Sequence, residues 1–338
     1  MRKMLNTLYI TTPESYLRKD GLNVVVSVNQ KEIFRIPIIN IEEIVTFGYM
    51  GASPGLMKLC ADNSVSLTFL TSSGDFIGRF QGKTKGNVLL RTKQYKLADD
   101  NDFALHISRI IVAAKILNSC NVLSRFIRDH GEDRDIKAVI NLMKQNKNNA
   151  LKASNKEILR GIEGDTASKY FSVFNKLILS NNGFSFNGRN RRPPKDPINA
   201  MLSFAYTLIS NKCTAALETV GLDPYVGFMH ALRPGRTSLA LDLMEEFRAY
   251  LADRLVLTLI NRGQVTQNDF IKQGNESVLL SDNCRNLIIK TWQSRNKEEI
   301  THPYLKEKLP IGLIPFAQAM LLARYLRGDT DDYPVFII

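Results

Sequence analysis

The chain has 338 residues, 44% of them hydrophobic and 23% charged, and carries 45 Lys and Arg against 33 Asp and Glu for a net charge of +12. That length supports two cores rather than one, and the positive excess attracts polyanions, nucleic acid first and an anionic membrane surface second. Cys60, Cys120, Cys213 and Cys284 stand far apart with no CxxC pair, which argues against both a zinc ribbon and a disulfide framework.

The N-terminus, "MRKMLNTLYI", lacks the apolar segment and small-residue cleavage site of a secretory signal, and no stretch elsewhere is expected to span a membrane. A soluble, cytoplasmic protein is expected. From residue 5 to about 82 the pattern is short and β-like: "TLYI", "LNVVVSV", "EIFRIPI", "IEEIVTFG", "SVSLTFL" and "FIGRF", with turns at Lys19-Asp20-Gly21, "NQK" and "SSGD". One helix, "SPGLMKLCADN", interrupts them. After "QGKTKGN" the apolar spacing becomes three and four, as in Phe103, Ile107, Ile110, Ile111, Ala114 and Leu117. Helices are expected from 88 to 180 and again from Pro197 to near Gly328, around the loop "SNNGFSFNGRNRRPPKDP". The fold class is therefore α+β, a β-rich domain over residues 1–84 followed by a larger helical domain over 85–338. Two basic segments, Arg79 to Lys96 and Arg189, Arg191, Arg192 and Lys195, are either solvated linkers or phosphate contacts.

Chemistry-bearing residues gather in "FMHALRPGRTSLALDLMEEFR" (228–248). A helix starting near Thr237 or Ser238 would bury Ala240, Met244, Phe247, Leu251 and Leu255, with Asp242 and Glu245 neighbours on the opposite face. That face is either simply wet or, with His230 folded over it, a site. In "GIEGDTASKYFSVFNKLI" (161–178) one continuous helix would set Glu163 in line with Ala167, Phe171, Phe174 and Ile178 and point its carboxylate inward, where it needs a proton, a partner or a cation. Alternatively the helix begins at Asp165 or Thr166 and Glu163 lies on a solvated turn. Glu163, His230 and a carboxylate from Asp242, Glu245 or Glu246 form a mostly oxygen set that suits Mg²⁺ or Mn²⁺ better than Zn²⁺. Arg233 and Arg236 would hold a polyanion around such an ion. No Walker A sequence, dinucleotide fingerprint or GxSxG elbow is present.

The blocks "GIEGDTASKYF", "RPPKDPINAMLSFAYTLI" and "GLDPYVGFMHALRPGRTSLALDLMEEFR", in that order behind a β-rich domain, resemble the CRISPR-associated endonuclease/integrase family of spacer acquisition, in its subtype I-C branch. The resemblance implies a homodimer formed mainly through the β domain, two such dimers flanking a dimer of a small ferredoxin-like partner, and double-stranded DNA as substrate. It implies an integrase that uses the 3′-hydroxyl ends of a captured fragment to attack the CRISPR repeat and that also cleaves DNA. It further implies a Glu, His and Asp site for Mg²⁺ or Mn²⁺, carried here by Glu163, His230 and, where the family commonly has Asp, Glu245, with Asp242 as rival or supporting partner. Arg191, Arg192, Lys195, Arg233, Arg236 and Arg248 would line the DNA path. The competing readings are a nucleic-acid-binding scaffold without catalysis and, less compatible with four scattered histidines, a zinc hydrolase.

Overall fold

The computed structural model describes residues 7–41, 43–48, 50–71, 76–80, 82, 88–179, 183–190, 193–274 and 276–338. Contacts divide the chain into two units, one of residues 1–85 with 282–298 and 310–313, the other of 86–281, 299–309 and 314–338.

The first unit contains β1 (Thr7–Ile10), β2 (Ser15–Asp20), β3 (Asn23–Val28), β4 (Lys31–Pro37), β5 (Glu43–Phe47), β6 (Gly51–Ala52), α1 (Pro54–Asp62), β7 (Ser66–Leu70) and β8 (Phe76–Phe80). They form two four-stranded sheets, ordered β1-β5-β7-β8 and β4-β3-β2-β6. The turn chemistry fixes the second sheet: Asn29 and Gln30 both take positive φ between the paired Val28 and Lys31, the backbone a two-residue hairpin needs. β2 and β6 were not evident from the residue pattern, since "SYLRKD" offers little β-branched character and Gly51–Ala52 is too short to show a period. α1 starts where expected, with Ser53 Oγ accepting from the Leu56 N–H and Pro54 in the first turn. Leu17, Val24, Ile44, Leu56, Cys60 and Leu67 make the core of this unit. Arg79, expected among phosphate contacts, pairs instead with buried Glu43 and donates to Thr68 Oγ1. Lys83 and Lys85 of the same segment lie outside the described residues.

The second unit contains α2 (Val88–Asp99), α3 (Asn101–His130), α4 (Arg134–Leu151), α5 (Lys156–Ser172), α6 (Pro197–Thr219), α7 (Ser238–Met244) and α8 (Arg254–Asn261). It also contains the antiparallel pair β9 (Phe270–Lys272) and β10 (Val278–Leu280). Side-chain caps separate these helices: Asp100, Asp133, Asn155 and Asp196 each accept backbone N–H bonds from the turn that follows. Next in the chain, α9 (Asp282–Lys297) belongs to the first unit, so the expected boundary at 84/85 does not describe the division. Its Cys284, Ile288, Ile289 and Trp292, at helical spacing, are all buried. The paired β11 (Glu299–Thr301) and β12 (Lys308–Pro310) lead into α10 (Ile314–Arg327), after which the tail runs to Ile338.

α3 corrects one expectation: with a mean hydropathy of 1.4 over its most apolar window it is long and apolar enough to cross a membrane. It packs instead along α4, α5, α2 and α7, and buries Ser108, Asn118 and Ser119 beside its apolar residues. This is the usual composition of a helix at the centre of a helical core.

Candidate metal centre

α5 starts at Lys156 on an Asn155 cap and runs unbroken to Ser172, so Glu163 lies within a helix and not on a turn before one. Its buried positions are Leu159, Thr166 and Tyr170 rather than the expected stripe, and Phe174 belongs to a separate short turn. Glu163 therefore projects from the flank of the helix and is only part buried. It lines two cavities, one of about 740 Å³ with Lys115, Tyr170, Arg189, Tyr206 and Arg248, and one of about 280 Å³ with His230, Lys156, Arg160, Arg233 and Arg236.

His230 is held from outside its own segment. Asp242, fully buried on α7, accepts from the Phe228 and Met229 N–H groups on Oδ2 at 2.7 and 3.0 Å, and from the His230 N–H and ring Nδ1 on Oδ1 at 3.0 and 2.6 Å. A carboxylate already accepting three backbone protons can only accept from the ring, so Nδ1 carries a hydrogen and Nε2 is the ring nitrogen that Asp242 leaves for another partner. Gly227 is required by this clamp: a Cβ there would come within 2.7 Å of Asp242 Oδ2 and of the Ser238 backbone. Both Asp242 oxygens are thus engaged in holding the 228–230 backbone and orienting the imidazole.

Of the two readings of the polar face of α7 the wet one does not hold, because Asp242, Glu245 and Glu246 are all buried. Glu246 points away from the cavities. Its carboxylate accepts from Tyr333 Oη, Gln318 Nε2 and the Phe336 N–H, and burial pushes its pKa up to about 7. Glu245 points the other way. Arg248 Nη1 donates to Oε1 at 2.7 Å, and Lys115 Nζ pairs with Oε2 at 2.8 Å. Burial, the largest influence, would raise this carboxyl, yet Arg248, Lys115 and His230 together hold it well below the usual carboxylate range.

Lys115 on α3 was not foreseen; its ammonium also donates to Glu163 Oε1 and so bridges the two carboxylates. Lys156 and Arg160 were missed as well, although they precede Glu163 by seven and three residues on one helix, a spacing that shares a face. Among the described residues no three acidic, His or Cys side chains yet stand close enough to enclose an ion. What is assembled is a donor set around a resident cation: two carboxylates joined by one ammonium, and an imidazole whose Nε2 is not used by Asp242 and which lines a cavity with the same Glu163. Two carboxylates and an imidazole suit a hard divalent ion.

The remaining basic residues divide by environment. Arg233 and Arg236 flank a Pro234-Gly235 turn, with Gly235 at φ +73°, and line the His230 cavity. Arg248 is tied to Glu245 and lies 4.5 Å over the Tyr206 ring, so it supports the centre from behind. Arg189 stacks on the same ring, and Lys195 pairs with Glu276 at 3.2 Å outside both cavities. Arg191 and Arg192 lie outside the described residues.

Residues 8–294 match the family model described as CRISPR associated protein Cas1. A CRISPR-associated endonuclease Cas1 from Chlorobaculum tepidum is 46% identical over 100% of this chain and 99% of its own length, and one from Rhodospirillum rubrum is 46% identical over 99% and 98%. Among solved structures, a CAS1 protein from Thermotoga maritima superposes with a TM-score of 0.83 at 23% identity, covering 98% of this chain and 99% of that one. A casposase bound to integration product gives the same TM-score at 24% identity over 97% and 92%.

Proposed function

We infer the chemistry of this centre from one premise: the chain belongs to the family of CRISPR associated protein Cas1. It is a DNA endonuclease and integrase of CRISPR adaptation, and the reaction it performs on phosphodiesters runs at the Glu163, His230 and Glu245 centre. Those three residues would hold Mg²⁺ or Mn²⁺, with Nε2 as the imidazole donor. A divalent ion there neutralises phosphate charge and lowers the pKa of an attacking hydroxyl or water. The protein's own groups do the rest. Asp242 fixes the ring and its tautomer, Arg248 anchors one oxygen of Glu245 so that the other faces inward, and Lys156, Arg160, Arg233 and Arg236 draw the DNA backbone against the imidazole. The strongest support is the Asp242 clamp, which leaves Nε2 available beside Glu163 in a cavity rimmed by arginines.

The same reading extends to partners. Double-stranded DNA is the substrate, consistent with the net charge of +12. The β-rich unit forms the homodimer, in keeping with exposed Leu22, Ile33, Phe34 and Ile39 on and beside β3 and β4. Two dimers flank a dimer of a small ferredoxin-like protein in the cytoplasm of a subtype I-C system. A ferredoxin-like reading frame beside the gene and a neighbouring repeat array would support that placement. The centre itself is tested by Glu163→Ala and His230→Ala, each expected to abolish cleavage and joining of DNA in Mn²⁺ while DNA affinity stays within a few-fold. Full activity in both variants would remove the assignment.

A further inference from the structure

We propose that Lys115 is a resident counter-ion of the metal centre, an ammonium that holds Glu163 and Glu245 together in the ion-free protein and that a divalent cation must displace. The proposal rests on the reading of Glu163, His230 and Glu245 as the ligand set. Two carboxylates sharing a site repel unless a cation lies between them. Here that cation is covalently attached, reaching from α3 to Glu163 on α5 and to Glu245 at the end of α7. Arg248 already neutralises Glu245 through the opposite oxygen, so a second cation is not required to keep that one carboxylate ionised. Lys115 instead occupies the position between the two acids, its Nζ donating to Glu163 and lying 2.8 Å from Oε2 of Glu245.

Charge counting gives the consequence. Glu163, Glu245, Arg248 and Lys115 sum to zero, so a divalent ion entering beside the ammonium brings uncompensated charge into a part-buried site. The ion enters readily only as the ammonium swings into the adjoining cavity, which Lys115 lines.

The test measures Mn²⁺ affinity on the full-length chain by the electron paramagnetic resonance signal of free Mn²⁺, without DNA. Lys115→Met is expected to bind Mn²⁺ about tenfold tighter than wild type, the size of an ordinary coupling between sites, whereas Lys115→Arg, which keeps a cation, gains nothing. Glu163→Gln and His230→Ala lose the site. Equal or weaker binding by Lys115→Met, with Glu163→Gln still losing the site, overturns the role of Lys115 and leaves the metal reading intact. Binding unaffected by Glu163→Gln and His230→Ala overturns both. Should Lys115→Met fold poorly without metal, wild-type protein carrying ¹³C-methylated lysines gives a second readout. The Lys115 resonance should move on Mg²⁺ addition, and a resonance that stays in place while Mg²⁺ binds sinks the proposal.

Discussion

Four hydrogen bonds converge on the Asp242 carboxylate, three of them from backbone N–H groups that cannot turn away. Asp242→Asn exchanges one acceptor oxygen for an NH₂ group facing those donors. A loss of about 1–3 kcal/mol in denaturant unfolding is expected, together with roughly a 10–100-fold fall in DNA cleavage as the imidazole loses its orientation. Gly227→Ala should act through the same clamp, because the added methyl meets Oδ2 at 2.7 Å. A lowered melting temperature with weakened Mn²⁺ binding would show it, whereas a melt and a Mn²⁺ affinity both equal to wild type would contradict the clamp. Residue types and their order pointed to Glu163, His230 and a carboxylate from Asp242, Glu245 or Glu246, and could not separate the three, since which oxygens the 227–230 turn consumes is set by the fold. Lys115 carried no signal at all: a lysine forty-eight residues before Glu163 becomes its neighbour only when α3 and α5 pack.

The adjacent residues Glu245 and Glu246 face different ways, as neighbours on a helical path do, just before the helix changes pitch. α7 ends at Met244, and the chain re-enters a helix as a π-type turn over Arg248–Asp253 before α8. Such turns redirect side chains, frequently at functional sites; here Arg248 is brought to Glu245, and Asp253 to the hydroxyls of Tyr170 and Tyr206. Glu246 faces the C-terminal tail, and its raised pKa, about 7 against an ordinary 4.5, has a definite sign. Between those values the folded chain retains a proton that the unfolded chain releases, so stability falls as pH rises through the window, by roughly 3 kcal/mol in all. Glu246→Gln can mimic the protonated state, its oxygen accepting from Gln318 and Phe336 and its NH₂ donating to Tyr333 Oη. Urea unfolding across pH 5 to 8 should show the variant losing less stability than wild type, and parallel curves would contradict the assignment. The apolar stripe of α7 was legible, since Ala240, Met244 and Phe247 are all buried as their spacing required. What covers Glu246 was not legible, since Tyr333 and Phe336 return to it from 87 and 90 residues further on.

At the scale of the whole chain, the switch from short alternating segments to three-and-four spacing foretold the change from sheet to helix. It could not foretell that α9 joins the first unit, because periodicity identifies a helix's buried face without naming what covers it. Net charge is a property of this scale too, and the acids of the centre are outnumbered by the basic residues around them. DNA affinity should therefore fall linearly with the logarithm of salt concentration, with a slope set by the number of phosphates neutralised. Arg233 and Arg236 line the His230 cavity, so replacing both by Ala should flatten the slope by about 2, close to one unit for each duplex phosphate no longer neutralised. Glu163→Ala should leave it nearly unchanged, because a metal-facing carboxylate releases no counterions from DNA. Fluorescence anisotropy on a duplex at several salt concentrations separates the outcomes: a slope unaltered in the double variant would place the DNA backbone away from this cavity, and with it the phosphodiester that the centre is proposed to act upon.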